Sequence, residues 1–451
     1  MTYISRRRLL SAGFVGGAVG LGGCLDDSND ESVLSVSDPD DWPDLTGREV
    51  HVLTSESSVP FQQYWTELSA AFETATDASV TVEYGGIGIG YRERLSKLLA
   101  AGSPPEVSHL GMNDAASYGT AGQLADHSEI VDHWEDQWSE TPDGMRIDLG
   151  DGDVYLPMLS NPHTLWYRQD VVDAPPETWS AELDRAAAVD GGRGNTRATA
   201  IPLSSGFAGQ NKFLSYGWSN GAQVCASAGD DVEVVMDSTF LDEWIEVCEH
   251  YEQLYEYCDP GIDTGTGQYI QAVGNQFAYW NQYVGARTKL AAENSPVAGD
   301  IAPAHPPFRS SRRLYGNVQG KAVFADSDVE AGMWFLRFMA RPEQLVPFYF
   351  ADPIHNAPVH EAIRSHERFQ ERLAELPSYW DVPEHLNFDW IENGVDMANE
   401  FGGVNPYAGE LLNSFELFGV TYDVLVNDLA PREAIRNRAA SLRKIIRNSR
   451  R

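Results

Sequence analysis

Cysteine is rare in this chain, with four residues among 451. Beyond Cys24, the remaining Cys225, Cys248 and Cys258 allow one disulfide and one free thiol, and Cys248 and Cys258 are the pair closest in sequence. The spacing leaves the pairing open, and three buried thiols are the simpler interpretation. Because no C-x-x-C motif occurs, the cysteines argue against a metal site, and we expect no metal or other cofactor.

Lysine is scarce as well. It supplies five of the 32 basic residues, against 67 aspartates and glutamates, and the formal net charge is -35. This charge argues against nucleic acid or an anionic membrane surface as the main partner, because either would be repelled. An acidic, lysine-poor surface holds its hydration when water activity is low, so we expect a salt-loving organism.

Long apolar runs are missing too, since no stretch of 18 apolar residues could span a bilayer. Residues 5–10 (SRRRLL) match the twin-arginine export pattern, and a short Gly-rich apolar run follows. It ends in LGGC at residues 21–24, which is typical of a lipobox, where lipid joins the cysteine thiol. We expect residues 1–24 to be a twin-arginine lipoprotein signal, with lipid on Cys24, and the Asp- and Ser-rich residues 25–46 to be a flexible tether.

Motifs for enzymes are incomplete. Residues 217–221 match G-x-S-x-G, but residues 213–216 before them are too short and polar for the strand of a nucleophile elbow. The H-E-x-x-H zinc motif that His360 and Glu361 begin is broken by Arg364. The sequence leaves open a pair of carboxylates acting as a glycosidase.

The pattern of the first hundred residues after the tether is regular. Strand-like runs at 49–53 and 78–84 alternate with amphipathic helical patterns, the first marked by Trp65, Leu68 and Phe72. Alternating strands and helices predict a parallel, doubly wound α/β sheet. In such sheets ligands bind at the carboxyl ends of the strands.

Ten segments in order resemble the extracellular solute-binding proteins of sugar ABC importers (family 1), over roughly residues 47–445. They are residues 72–77, 98–107, 116–126, 153–157, 165–170, 175–179, 329–339, 341–344, 357–359 and 431–435. Two places depart from the family pattern: Glu106 replaces the usual aspartate, and residues 273–280 replace a Gly-Lys-Ala-Ala-Met run.

The resemblance implies an α/β, two-lobe periplasmic-binding-protein-like fold (type II), with a ligand cleft between the lobes. We expect lobe 1 to comprise residues 47–158 plus about 309–360, and lobe 2 residues 159–308 plus about 361–451. A sugar needs aromatic faces and planar polar side chains. On loops between predicted elements we place Trp166, Tyr216, Trp218, Tyr279, Trp280 and Tyr283. Our ligand-binding candidates are Asn113, Asp114, Tyr155, Trp166, Trp218, Tyr279, Trp280 and Asn281.

A competing interpretation makes most of these aromatic residues core. The family implies a binding protein without enzymatic activity. The export signal and the acidic, lysine-poor composition indicate a lipoprotein, of a haloarchaeal type, on the extracellular face of the cell membrane. It would capture a small solute, a sugar by preference, and deliver it to an ABC permease, with no nucleic-acid partner. Two alternatives stay open: a surface-anchored polysaccharide-degrading enzyme, and a non-transport sensor with the same fold.

Overall fold

The computed structural model describes residues 42–86, 88–150, 152–190, 197–203, 206–229, 231–258, 278–283, 295–352, 356–376 and 391–450, without the side chains of residues 190 and 279–283. The predicted export signal with Cys24, and the predicted tether up to residue 41, lie outside the described residues. Within the described part, no helix combines the length and the apolar character that a membrane crossing requires.

The described strands are β1 (Glu49–Thr54), β2 (Ser79–Tyr84), β3 (Val107–Gly111), β4 (Leu156–Ser160), β5 (His163–Arg168), β6 (Cys225–Ser227), β7 (Val232–Val234), β8 (Tyr279–Tyr283), β9 (Ile301–Ala304), β10 (Leu314–Tyr315), β11 (Val318–Ala322), β12 (Ala357–Pro358) and β13 (Gly394–Val395).

The described helices are α1 (Val59–Thr76), α2 (Ile89–Ala100), α3 (Met112–Thr120), α4 (Ser128–Gln137), α5 (Trp179–Asp190), α6 (Phe207–Ser219), α7 (Leu241–Tyr255), α8 (Val329–Met339), α9 (Pro342–Phe350), α10 (Glu361–Ser365), α11 (Glu367–Glu375), α12 (Ala408–Asn413), α13 (Glu416–Leu425) and α14 (Pro431–Ser449). Helix α5 begins at the end of the family-like segment 175–179, where the Thr178 hydroxyl accepts the backbone N–H of Ala181 at 3.2 Å and caps the helix.

The main sheet has six strands in the order β12-β4-β11-β3-β1-β2. Strand β1 runs parallel to β2 and β3, as predicted. The prediction of a wholly parallel sheet is wrong, because β11 lies antiparallel to both β3 and β4, and β12 is antiparallel to β4. Strand β11 enters the sheet at the edge where β3 and β4 end, so it must run in the opposite direction.

A second sheet has the order β8-β5-β9, and residues 161–162 lead into it from β4 of the main sheet. Residues 316–317 lead from β10, which belongs to neither of these sheets, into β11. The two segments meet where the Asn161 N–H donates to the Asn317 carbonyl at 3.3 Å. Beside them β10 pairs with β13, and a Cβ added to Gly316 would stand 3.0 Å from the Cα of Gly394. Two glycines therefore let the backbones approach this closely.

The core of the main sheet is aromatic. Helix α1 buries Phe61, Trp65, Leu68 and Phe72, at spacings that place all four on one helix face. Each such side chain contributes about 1.5–3 kcal/mol of transfer free energy when fully buried. Burial of this stripe fixes α1 against the sheet.

The folded body begins earlier than the sequence indicated. The ring of Trp42 packs edge-on against Phe338 with centroids 4.9 Å apart, and the Leu45 N–H donates to the Thr76 carbonyl at 2.7 Å. Residues 42–46 are therefore packed, and their assignment to the tether is wrong because Trp42 packs on rings of α8 and the buried Leu45 is bonded to the end of α1. The described residues belong to one compact unit, so the lobe boundaries stay a prediction.

Candidate functional site

The carboxyl ends of four strands form one edge of the main sheet. Strands β1, β2, β3 and β4 end there at Thr54, Tyr84, Gly111 and Ser160. Helix α3 starts directly after β3, so its first turn lies at this edge. The structure therefore places two of the predicted residues, Asn113 and Asp114, at the expected end of the sheet.

Asp114 is the centre of a polar and aromatic group. Its carboxylate accepts the Nε and Nη2 hydrogens of Arg92, both at 3.2 Å, and the Nδ2 amide of Asn413 at 3.1 Å. The Arg92 guanidinium lies 5.1 Å from the ring centroid of Phe207, which meets Phe415 edge-on at 5.0 Å. Elements far apart in sequence thus converge on one carboxylate.

Two acceptor atoms in this region have no partner within the described residues. Gln210 is fully buried, and its Oε1 accepts no hydrogen bond although its Nε2 donates to the Leu412 carbonyl at 2.7 Å. The Oδ1 of Asn413 is likewise buried and unpartnered. Phe415 holds a left-handed φ of 55°, a strained conformation that proteins keep where geometry matters. We call Arg92, Asp114, Phe207, Gln210, Asn413 and Phe415 the Asp114 cluster.

The chemistry of the Asp114 cluster suits a small polar solute. The two buried oxygens without donors can accept hydrogen bonds from hydroxyl or amide groups of a ligand. Such bonds would be favourable, because an unpaired buried acceptor costs free energy. Small-molecule sites combine apolar contacts with a few polar groups that orient the ligand. In this cluster the aromatic rings would supply the apolar contacts, and the Arg92–Asp114 pair would supply the orientation.

Asn113 makes a different contact. Its Nδ2 donates to Asp396 Oδ1 at 3.0 Å, and its Oδ1 accepts the Ala398 N–H at 2.9 Å. The other oxygen of Asp396 accepts the Val318 N–H at 2.9 Å. Burial raises the pKa of Asp396 to about 7, although both hydrogen bonds favour its charged form. Tyr155 lies nearby, fully buried, with a hydroxyl that has no partner within the described residues.

Trp218 is bound to a second buried carboxylate. Its indole N–H donates to Glu400 at 3.0 Å, and Glu400 also accepts the backbone N–H of Val224 at 3.0 Å and of Cys225 at 2.7 Å. Burial raises the pKa of Glu400 to about 7. The ring of Trp218 stacks on Tyr315 with centroids 6.1 Å apart. In this structure Trp218 is a fully buried core residue.

The remaining candidates lie on strands. Trp166 is fully buried in β5, and its backbone partner across the sheet is Trp280. Tyr279, Trp280 and Asn281 belong to β8, and their side chains lie outside the described residues. The eight candidates are thus divided among the Asp114 cluster, the Asp396 and Glu400 contacts and the β5–β8 pair, and their roles in binding stay a prediction.

The loop positions that the sequence suggested for the aromatic candidates are wrong. Trp166, Tyr279, Trp280 and Tyr283 lie on strands, and Tyr216 and Trp218 lie on helix α6. Gly217, between Tyr216 and Trp218, also lies within α6, where a side chain would not fit: an added Cβ would stand 2.1 Å from Cη2 of Trp244. The same helix rules out a nucleophile elbow at Ser219, which requires a strand before the serine.

The other sequence candidates for chemistry are structural in the described chain. Cys225, Cys248 and Cys258 are buried free thiols, and burial raises the pKa of Cys258 to about 12. His360 is buried, with Nδ1 bonded to the Ser139 carbonyl at 2.8 Å. Among the described residues, no group of three His, Cys, Asp or Glu side chains is placed to hold a metal ion.

Two cavities lie away from the predicted residues. One of about 540 Å³ is lined by Trp42, His133, Gln137, Trp334, Arg337, Arg341, Pro342 and Glu343. Another of about 480 Å³ is lined by Glu49, His51, Thr81, Glu83, Gly102, Ser103, Pro104, Glu106, Asp326, Ser327 and Asp328. Neither includes a member of the Asp114 cluster.

Residues 55–345 match the model of a protein family described as bacterial extracellular solute-binding protein. The chain belongs to this family. A curated relative, the diacetylchitobiose binding protein DasA of Streptomyces coelicolor, is 28% identical over 137 residues. That match covers 30% of this chain and 31% of the relative, so the chain spans about a third of that protein's length.

Solved structures have the same fold. A solute-binding protein from Thermotoga lettingae, bound with α-D-tagatose, has a TM-score of 0.69 and 16% identity, and the match covers 88% of this chain and 100% of that one. The GacH receptor of Streptomyces glaucescens, solved free and with acarbose, has a TM-score of 0.70 and 15% identity over 90% of this chain and 99% of that one. The fold is the predicted type II periplasmic-binding-protein fold.

Of the Asp114 cluster, only Asp114 itself was predicted from the sequence. Arg92 and Gln210 lie on helices without a motif, and Asn413 and Phe415 follow each other closely in a segment that matched no family pattern. One local feature could have indicated them: Phe207 lies close in sequence to Gln210, and Phe415 to Asn413. An aromatic residue near an amide is the same combination by which the other sugar-binding candidates were chosen. Only the fold brings them together with Asp114.

Proposed function

We propose that this chain is the sugar-binding component of an ABC importer, captured on the outer face of the cell membrane by lipid on Cys24. The observation that carries the proposal is the family match over residues 55–345. The relatives bind carbohydrates or sugar analogues by name: diacetylchitobiose for DasA, tagatose and acarbose for the two structures. The Asp114 cluster supplies aromatic edges and unpaired oxygens suited to such a ligand.

The proposed mechanism is capture and delivery without chemistry. Ligand binds between the predicted lobes, at the edge where β1 to β4 end, and stabilises the form in which both lobes contact it. The Asp114 cluster joins residues of predicted lobe 1, Arg92 and Asp114, to residues of predicted lobe 2. A membrane permease then recognises the closed shape. Bending takes place at the crossing segments 161–162 and 316–317.

A thermal-shift screen tests this function. The full-length protein is melted in high-salt buffer with N,N′-diacetylchitobiose, maltose, acarbose, tagatose, ribitol, peptides and divalent cations. A ligand that binds only the folded state adds about 2.7 kcal/mol of stability at 100 times its Kd. We expect a shift with one carbohydrate class and no release of reducing ends. Release of reducing ends would establish the degrading enzyme instead, and a shift with peptides alone would overturn the sugar assignment.

We also propose that the protein works in high salt and is exported by the twin-arginine route. The net charge of -35 and the five lysines support the first part, and the SRRRLL run at residues 5–10 supports the second. Self-repulsion of such a charge is screened by salt. The midpoint of urea unfolding should therefore rise steeply from low to molar potassium chloride. A midpoint independent of salt would contradict salt adaptation and leave the sugar-binding proposal intact.

A further inference from the structure

A chain of three polar side chains runs through the main sheet beneath the carboxyl edge. Lys321 on β11 lies opposite His109 on β3, and its Nζ is 3.1 Å from Nδ1 of the imidazole. The other ring nitrogen, Nε2, lies 2.6 Å from Oε1 of Gln319. Gln319 is next but one to Lys321 on the same strand, so both side chains leave the same face.

Lys321 is a buried lysine whose ammonium group lies between the His109 ring and two aromatic faces. It is 1% exposed, and its ammonium lies 4.9 Å from the ring centroid of Trp65 and 5.7 Å from that of Phe348. Burial lowers the pKa of Lys321 to about 7, and the charge of Glu56 opposes this shift. The two ring faces stabilise the charged form, because an aromatic face attracts a cation.

The donor directions along this chain follow from the chemistry of each group. Below its pKa of about 7, Lys321 is charged and can only donate, so His109 Nδ1 must accept and the ring hydrogen must be on Nε2. That hydrogen is donated to Gln319, so Oε1 of the amide is the acceptor. Burial and the charge of Lys321 lower the pKa of His109 to about 3, which keeps the ring neutral. The Gln319 amide is thereby fixed in one of its two orientations.

Gln319, the last of the three polar side chains, lies at the edge of the sheet where ligand is expected. Gln319 is half-buried, pairs with Gly111 at the end of β3, and directly follows Val318, the donor to Asp396. Its Nε2 makes no hydrogen bond within the described residues, while its Oε1 is occupied by His109. We propose that Gln319 is a ligand-contacting residue that presents its NH₂ group to a hydroxyl or acetamido oxygen of the solute, and that His109 and Lys321 are positioning residues for it. This inference rests on the proposed function.

One experiment measures the orientation without any ligand. Long-range ¹H–¹⁵N spectra of the histidine rings, with His109 assigned by the His109→Gln variant, should show the Nε2–H tautomer at about pH 6, where Lys321 is mostly charged and His109 is neutral. In Lys321→Met the side chain keeps its length among the aromatic rings but loses the donor, and the tautomer should no longer be fixed. An Nδ1–H tautomer in the unmodified protein refutes the positioning chain.

A second experiment measures the contact. Affinities for N,N′-diacetylchitobiose, maltose, acarbose and tagatose are compared in the parent, Gln319→Glu, Gln319→Leu, Lys321→Met and the double variant Gln319→Leu with Lys321→Met. In Gln319→Glu the carboxylate still accepts the hydrogen bond from His109 but offers no N–H to the ligand. Its affinity for the sugar should therefore fall about tenfold, as should that of Gln319→Leu. The double variant should bind no more weakly than Gln319→Leu alone, because Lys321 acts through Gln319. Gln253→Leu, an exposed control, should bind as the parent does.

The outcomes separate the two proposals. Retained affinity in Gln319→Glu refutes the contact while the sugar-binding function stands. Additive losses in the double variant refute the positioning role of Lys321. No binding of any of these sugars by the parent removes the proposed function, and with it the role assigned to Gln319.

Discussion

The buried carboxyl of Asp396 should make stability depend on pH in a way that one substitution removes. Asp396 is 1% exposed, and its pKa is raised from 3.8 to about 7. A carboxyl with a raised folded pKa takes up a proton on folding. Its contribution to the free energy of unfolding is therefore fully present below the unfolded pKa, and it is lost as the pH rises through the folded pKa. A shift of about three pKa units corresponds to about 4 kcal/mol.

The Asp396→Asn variant is permanently neutral and cannot titrate. Its Oδ1 accepts one of the two donors, Val318 N–H or Asn113 Nδ2, and its NH₂ group faces the other, which costs about 1–3 kcal/mol at every pH. Below about pH 4 the variant should therefore be less stable than the parent. Between about pH 5 and the folded pKa of about 7 the parent loses a further ~3 kcal/mol of proton-linked stability, so the difference should shrink or reverse by that amount.

Urea unfolding of both proteins at constant high salt, from about pH 5 to about pH 8, measures this difference directly. Other titrating groups, including Glu400 and the buried histidines, are common to both proteins and cancel in the comparison. Asp242→Asn, at a side chain that is 88% exposed, is the control and should show no such trend. A difference between Asp396→Asn and the parent that stays constant over this range would refute the reasoning.

Three other substitutions or measurements follow from contacts described above. Gly217→Ala should destabilise the protein by about 1–3 kcal/mol, because the added methyl group overpacks against Trp244. Gly299→Ala is the control, since an added Cβ there meets nothing within 4 Å. Equal melting temperatures of the two variants would contradict the close contact. Trp218→Phe should cost about 1–3 kcal/mol in urea unfolding, because Glu400 keeps only its two backbone donors; an unchanged midpoint would show that the indole N–H is dispensable. In a Cys24→Ser background, a thiol reagent should label Cys225, Cys248 and Cys258 only after unfolding, since all three are buried; prompt labelling of the native protein would contradict this.

The local parts of the fold could be predicted from the sequence. Strand-like runs at 49–53 and 78–84 became β1 and β2 with a difference of one residue at an end, and the stripe of Trp65, Leu68 and Phe72 became the buried face of α1. These features depend on side chains a few positions apart. The direction of β11 does not, because it depends on where the chain crosses between sheets.

The buried polar contacts could not be predicted for a related reason. Asn113 and Asp396 are 283 positions apart, and Trp218 and Glu400 are 182 apart. With 67 acidic residues in the chain, nothing local distinguishes these two carboxylates from solvated ones. Gly217 shows the same difficulty: it lies in a helix where the ring of Trp244 leaves no room for a side chain, and that contact depends on a residue distant in sequence.

The segment around Asp396 and Glu400 limits where the predicted lobes can bend. Asp396 accepts from Asn113 and Val318 of predicted lobe 1, while Glu400, four residues further on, accepts from Trp218, Val224 and Cys225 of predicted lobe 2. Breaking either set would leave a buried carboxylate without donors, which costs far more than bending a backbone. A rotation that keeps both sets must have its axis close to this segment, where atoms move least. The backbones of Gly316 and Gly394 touch at that point, and the absence of side chains there leaves the crossing chains free to turn against each other.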